Sequence, residues 1–213
     1  MTINSTIIEC CALAPSRNGL IIAEPVSFHL DSGAYVQLRG PNGCGKSTLL
    51  RHLAGLLPAE RGDVLIDDTS CPPHLIAQRR LIGYLGHADA LHGDLTGYEN
   101  FELLTGQSRD LLVQLPLYER PTATYSAGQR QKLTLHMLDD THDIWLLDEP
   151  SASLDDANLL YLEERIAGYL ACGGAVVAST HTPLATSLVS QTITLSALTS
   201  SGITGQLRPD EWS

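Results

Sequence analysis

Gly40-Pro41-Asn42-Gly43-Cys44-Gly45-Lys46-Ser47-Thr48 is the stretch on which the fold turns. A glycine, four residues, then Gly-Lys-Ser is the pattern of a phosphate-gripping loop, provided a strand leads in and a helix leads out. Both flanks fit. An apolar run at 34–38 precedes the loop, and Leu49, Leu50, Leu53, Ala54 and Leu57 follow at helical spacing until Pro58 stops them. Glycines let the backbone curl so that successive N–H groups face phosphate oxygens at the positive end of a helix. In that reading Lys46 bridges the β- and γ-phosphates, the Ser47 hydroxyl holds Mg²⁺, and the rest of 40–48 cradles the nucleotide. Taken alone, the same letters also describe a glycine-rich turn that happens to open a helix.

Composition sets the frame around this loop. The 213 residues are 43% hydrophobic and 17% charged, enough to bury a full core and unlike a disordered chain. Length points to a single domain over 1–213. Thirteen basic residues against 24 acidic ones give a net charge of −11, which argues against a broad nucleic-acid-binding face. Five cysteines, two of them adjacent and none in CxxC pairs, read as reduced thiols. No secretory signal and no bilayer-length apolar run is evident, so work at a membrane would need a partner to hold the chain there.

Outward from the loop, short β-rich runs alternate with helical ones. Strands are expected at 6–13, 20–30, 34–38, 62–67, 81–85, 144–147, 175–179 and 191–198. Helices are expected at 47–57, at 96–117 with breaks at Gly106 and Pro116, at 126–139, and at 155–171, the last stopped by Gly173-Gly174. This alternation implies a parallel sheet wrapped by helices. The tail 204–213 is polar.

Downstream, Asp143-Ile144-Trp145-Leu146-Leu147-Asp148-Glu149-Pro150 is an apolar strand ending in two carboxylates. Beside a phosphate loop, the first can hold the Mg²⁺ shell and the second can polarise water. By itself it is as well read as a capped strand entering an acidic turn. Between loop and strand lies Tyr125-Ser126-Ala127-Gly128-Gln129-Arg130-Gln131-Lys132, and after the strand come Ser151-Ala152-Ser153-Leu154-Asp155 and His181.

These five motifs, in this order over about 26–183, resemble the ABC ATPase family, whose signature is LSGGQ. The resemblance implies a P-loop NTPase fold: a RecA-like parallel-sheet core, an N-terminal antiparallel β subdomain and a small helical subdomain at about 88–140 inserted in the α/β core. It implies ATP and Mg²⁺ as ligands, with Ser47 and Asp148 toward the metal. Glu149 is then the general base, His181 holds the γ-phosphate and the attacking water, and Asp155 crosses a dimer interface. The signature Ser126, Ala127, Gly128 and Gln129 contacts the ATP of a second subunit, so one phosphate loop and one signature per chain imply a homodimer.

Two positions depart from the family pattern. His87 stands where a Mg²⁺-contacting glutamine is usual, so its catalytic part stays open beside the reading of a plain loop residue. No aromatic for adenine stacking occurs near 4–19. Arg17 sits at about that place, as a stacking guanidinium or as a surface arginine.

Finer details resemble one branch of the family. Leu85-Gly86-His87, Leu95-Thr96-Gly97-Tyr98-Glu99-Asn100, the alanine of the signature, and 173–181 look like the ATP-binding subunits of the haem exporter of cytochrome c maturation. That implies ATP-driven haem export or delivery to a haem chaperone. The partners implied are an integral membrane subunit on the cytoplasmic face of the inner membrane and cytochrome c maturation factors, docked near 88–100. No direct haem binding is expected, since the eight histidines lack a CxxCH context. An ABC ATPase for another substrate (lipid, drug or small molecule) and a non-transport ABC protein stay open as alternatives. Cys44, inside the loop, is read as a reactive thiol whose alkylation would crowd the phosphates.

Overall fold

The computed structural model describes residues 8–66, 69–78, 81–86, 90–112, 115–138, 140–152 and 154–198. His87, Ser153 and the polar tail lie outside them.

Strand β1 (Ile8–Leu13) leads into a tight hairpin, β2 (Ser16–Arg17) and β3 (Leu20–Ile21). Asn18 at φ 52° and Gly19 at φ 77° make the two-residue turn, which needs positive φ at both central positions. The expected strand 20–30 is thus divided. After β3 the chain breaks at Ala23-Glu24-Pro25, because proline has no N–H to give a ladder, and resumes as β4 (Val26–Leu30).

Next come β5 (Tyr35–Arg39), α1 (Lys46–Leu53), β6 (Asp63–Ile66), β7 (Thr69–Ser70), α2 (Pro73–Gln78) and β8 (Ile82–Leu85). Helix α1 ends four residues before the expected stop at Leu57. Gly55, at φ 69°, reverses the chain where a Cβ would run into the Pro73 carbonyl, so glycine and not Pro58 ends the helix. The remaining elements are α3 (Gly97–Thr105), α4 (Ala127–His136), β9 (Ile144–Asp148), α5 (Asp156–Ala171), β10 (Ala175–Ser179) and β11 (Gln191–Thr194), with short 3₁₀ turns between. The single long helix read over 96–117 stops at Gly106 (φ 70°), as the break there anticipated.

Two sheets carry the architecture. One is antiparallel, in the order β4-β1-β6-β7; the other is parallel, in the order β11-β5-β10-β9-β8. The middle strands β10 and β9 are buried at every position, as a parallel sheet covered on both faces requires. One apolar cluster joins the antiparallel sheet to α1 and one face of the parallel sheet through Leu38, Leu49, Leu50, Leu53 and Ile66. A second packs α5 on the other face, where Trp145 and Tyr169 stack at 3.8 Å and 4°. A third, built from Tyr98, Phe101, Leu112, Tyr118, Tyr125 and Leu133, joins α3 and α4 apart from the sheets.

Register then decides where the site lies. Ser179 pairs with both Leu38 and Asp148, so β5, β10 and β9 end side by side. The residues that follow each strand converge at one carboxyl edge, where open α/β sheets bind ligands.

A phosphate cleft with half of its expected walls

The loop 40–48 curls through three left-handed glycines: Gly40 (φ 146°), Gly43 (φ 78°) and Gly45 (φ 101°). A Cβ on Gly40 would come within 2.6 Å of Cys44 Sγ and of the Leu195 carbonyl, and one on Gly45 within 2.9 Å of Pro15. Conformation and crowding both demand glycine there. A Cβ on Gly43 would meet nothing within 4 Å, so its side of the loop is open. Helix α1 begins at Lys46 with no side chain capping its first turn, which leaves those N–H groups for a ligand.

The cleft above the loop has a volume of 760 Å³ and is walled by Asn42, Gly45, Lys46, Ser47, Glu149 and His181, with Arg17 and Ile22 at one end. The turn of β2 and β3 places Arg17. That hairpin is tied down from below by His52 of α1, which is buried and accepts from the Ser16 N–H at 3.1 Å. His52 is therefore a core residue, with its other ring nitrogen 3.1 Å from the Leu57 carbonyl.

Lys46, 6% exposed, donates to the carbonyls of Gly40 (2.9 Å) and Pro41 (3.2 Å). His181 Nε2 stands 3.2 Å from Lys46 Nζ and 3.2 Å from Glu149 Oε1. One ring nitrogen cannot serve both at once: neutral, it accepts from the ammonium; protonated, it faces the carboxylate. Glu149 Oε1 makes no aligned hydrogen bond, whereas Oε2 accepts from the His181 backbone N–H at 3.3 Å. Glu149 itself holds φ 54°, a conformation costly for a residue with a Cβ and one that clusters at functional sites.

Asp148 is 1% exposed; its Oδ1 accepts from Ser179 Oγ at 2.7 Å, and its Oδ2 has no partner among the described residues. Leaving a carboxylate oxygen bare and buried is expensive unless a cation takes it up. Asp148 with the Ser47 hydroxyl thus suits a hard cation that keeps oxygen ligands from a nucleotide and water. Among the described residues no cluster of three His, Cys, Asp or Glu forms a closed metal cage, as such a shared site does not need one.

One expectation is overturned. Cys44 is 1% exposed and its sulfur packs beneath Gly40 in the main apolar cluster, so it is shielded by the fold and not presented to the phosphates. Only the backbone of Cys44 borders the loop.

The signature residues lie elsewhere. Ser126, Ala127, Gly128 and Gln129 begin α4 and line no part of the cleft. The Ser126 hydroxyl accepts from the Gln129 N–H at 3.2 Å, and the Gln129 side chain accepts from the Ser126 N–H at 2.9 Å, a reciprocal cap on an exposed helix start. Gln131, one turn in, donates to the Pro150 carbonyl at 3.0 Å. Asp155 caps α5 by accepting from the Asn158 N–H at 2.8 Å.

A family model for ABC transporters matches residues 23–152, from the antiparallel sheet through the turn after Glu149. The chain belongs to the ABC transporter family. Members are nucleotide-binding subunits that hydrolyse ATP to drive transport, and this chain is one of them. It is 39% identical over 188 residues to the cytochrome c biogenesis ATP-binding export protein CcmA of Rhodobacter capsulatus, covering 84% of this chain and 83% of that protein. It is also 39% identical over 181 residues to the protein of the same name in Paracoccus denitrificans, covering 81% of each. Among solved structures, the ATP-binding subunit of an ABC transporter superposes with a TM-score of 0.71 at 27% identity, over 89% of this chain and 85% of that one. A dimeric ATP-binding cassette bound to ADP and phosphate superposes at 0.73 and 23% identity, over 88% and 94%, and shares the fold.

Sequence reasoning gave Ser179 no role, although it lies inside the stretch 173–181 that carries part of the resemblance. A small polar residue ending an otherwise apolar strand, two places before His181, is the signal that was available.

Proposed function

We propose that this chain is the ATPase subunit of an ABC complex that powers haem export or delivery for c-type cytochrome maturation. The observation that carries the ATPase half is the cleft: Lys46, Asp148, Glu149 and His181 meet at one sheet edge, while Ser126–Gln129 stand outside it. The cytochrome half rests on the likeness to the CcmA proteins over four fifths of both chains.

In this reading the glycine-bent loop and the open start of α1 receive the phosphates of ATP, and Lys46 exchanges its carbonyl partners for the β- and γ-phosphate oxygens. Ser47 and Asp148 Oδ2 would hold Mg²⁺, which when bound would neutralise charge on the phosphates. Glu149 Oε1, free of an aligned partner, accepts a proton from water, and His181 orients that water against the γ-phosphate. Arg17 lies against the base. The role of His87 falls outside the described residues and is assigned only from its position in the sequence.

Since Ser126–Gln129 do not reach the cleft of their own chain, a second copy supplies them, and the working unit is a homodimer. No helix among the described residues is long and apolar enough to cross a membrane, so an integral membrane subunit holds the dimer at the cytoplasmic face of the inner membrane. A 1060 Å³ groove between β8 and α3, with Leu103 and Leu104 exposed at its rim, is the docking place. Ala90 and Leu91, from the expected docking segment 88–100, line it.

Deletion of the gene tests the biological half: c-type cytochromes are lost while b-type haemoproteins persist. Normal c-type cytochromes would refute the substrate and leave the ATPase reading standing.

A further inference from the structure

Ser179 ends β10, is 0% exposed, and lies two residues before His181 without lining the cleft. Its hydroxyl has two partners at once. It donates to Asp148 Oδ1 at 2.7 Å and accepts from the Glu149 backbone N–H at 3.1 Å. The register of the parallel ladder, which sets Ser179 beside Asp148, brings all three together.

Two consequences follow for the adjacent carboxylates. At Asp148, committing Oδ1 to a hydrogen bond fixes the plane of the carboxylate and leaves Oδ2 as the one bare oxygen. At Glu149, the N–H is held by both the hydroxyl and the carbonyl of Ser179, the latter also at 3.1 Å. That double hold anchors a residue whose φ of 54° otherwise works against it. One buried hydroxyl thus sets the direction of the cation-facing oxygen and pins the turn that carries the next carboxylate.

We propose that Ser179 is a positioning residue that aims Asp148 Oδ2 at Mg²⁺ and holds the Glu149 turn in place. The inference rests on the reading of Asp148 as the metal carboxylate. A serine that merely finishes a strand would contribute to folding alone, and the two roles separate in a binding experiment.

The measurement is anisotropy of a fluorescent ATP analogue on the full chain, in EDTA and across a Mg²⁺ titration, with thermal melting in parallel. Ser179→Ala is expected to raise the Mg²⁺ concentration at half effect about tenfold, the scale of one hydrogen bond to a charged group. Affinity in EDTA stays unchanged. Ser179→Thr, which keeps the hydroxyl, returns the midpoint to the wild-type value. If the alanine variant does not fold, Ser179→Cys, similar in size with a weak donor, carries the same comparison and the same direction. An unchanged Mg²⁺ midpoint with only a lower melting temperature overturns the proposal, as does a threonine variant no better than alanine. A wild-type chain whose nucleotide binding ignores Mg²⁺ overturns the reading of Asp148 itself, a result seen before any variant is made.

Discussion

The cleft and the signature are the two halves of one kind of site, and they are built in opposite ways. Around the cleft the polar side chains are anchored from within the chain: Lys46 by two carbonyls, Asp148 Oδ1 by Ser179, the Glu149 amide by Ser179 again, which leaves Asp148 Oδ2 and Glu149 Oε1 without an aligned partner. Three adjacent parallel strands fix those positions, and burial keeps water out of the bonds. The signature stands on an exposed helix start, where the side chains of Ser126 and Gln129 cap each other's backbone N–H groups. If the proposed function holds, a fixed half and an open half in one chain mean that the reacting geometry is stored in the core and completed from outside, and hydrolysis is expected to depend on assembly.

The sharpest way to break this contrast is at Glu149. Glu149→Gln keeps the size of the side chain and removes its capacity to accept a proton. Hydrolysis is expected to fall by about 10²–10³-fold, with nucleotide binding retained and dimer accumulating in ATP by size-exclusion chromatography. Near-normal turnover would show that the stored half is not the chemical half.

The next test asks whether the open half belongs to another copy. Lys46→Ala disables the cleft, and Gly128→Asp sets a carboxylate at the helix start where phosphate is expected. Each variant alone is inactive. Mixed, they form dimers in which one cleft and one signature are both intact, and ATP hydrolysis reappears. Two variants that stay inactive together would place the signature on its own chain's nucleotide.

How far the sequence carried this picture differs between the same two regions. The loop, the strand ending in Asp148-Glu149 and the helix start at Ser126 were legible because glycine spacing, an apolar run and a capping pair are local signals. The left-handed φ of Glu149 was not, since no residue letter marks a strained position that only its neighbours impose. Cys44 was misread for a related reason: a loop residue is presumed exposed, and only the close approach of Gly40 to its sulfur shows that it is packed inward. Helix α1 was read four residues too long because Pro58 drew attention from Gly55. The convergence of β5, β9 and β10 is a fact of register, which sequence order implies without locating.

A smaller effect separates capping from contact at the open half. Ser126 and Thr96 carry the same reciprocal cap, on α4 and on α3. Alanine at either is expected to cost about 1 kcal/mol of stability in urea unfolding. Only Ser126→Ala should also slow hydrolysis. Equal loss of activity in both would assign the Ser126 effect to helix stability and remove the special status of the signature.

The smallest effect is a pH dependence in the signature-bearing region. His136, in the last turn of α4, is half-buried, and burial in the apolar surroundings of Tyr118 and Tyr161 pushes its imidazole below the ordinary value of 6.5. Its Nδ1 lies 2.9 Å from the Lys132 carbonyl and 3.1 Å from the Tyr118 hydroxyl. A depressed pKa means that the unfolded chain binds the proton more readily than the folded one. The contribution of neutral His136 is therefore fully present above pH 6.5 and is lost as pH falls from there toward the lower folded value. Melting followed from pH 7.5 down to 5 should show this acid loss in the wild type and less of it in His136→Gln, whose amide does not titrate. If the two curves fall in parallel, the acid sensitivity lies elsewhere than in His136.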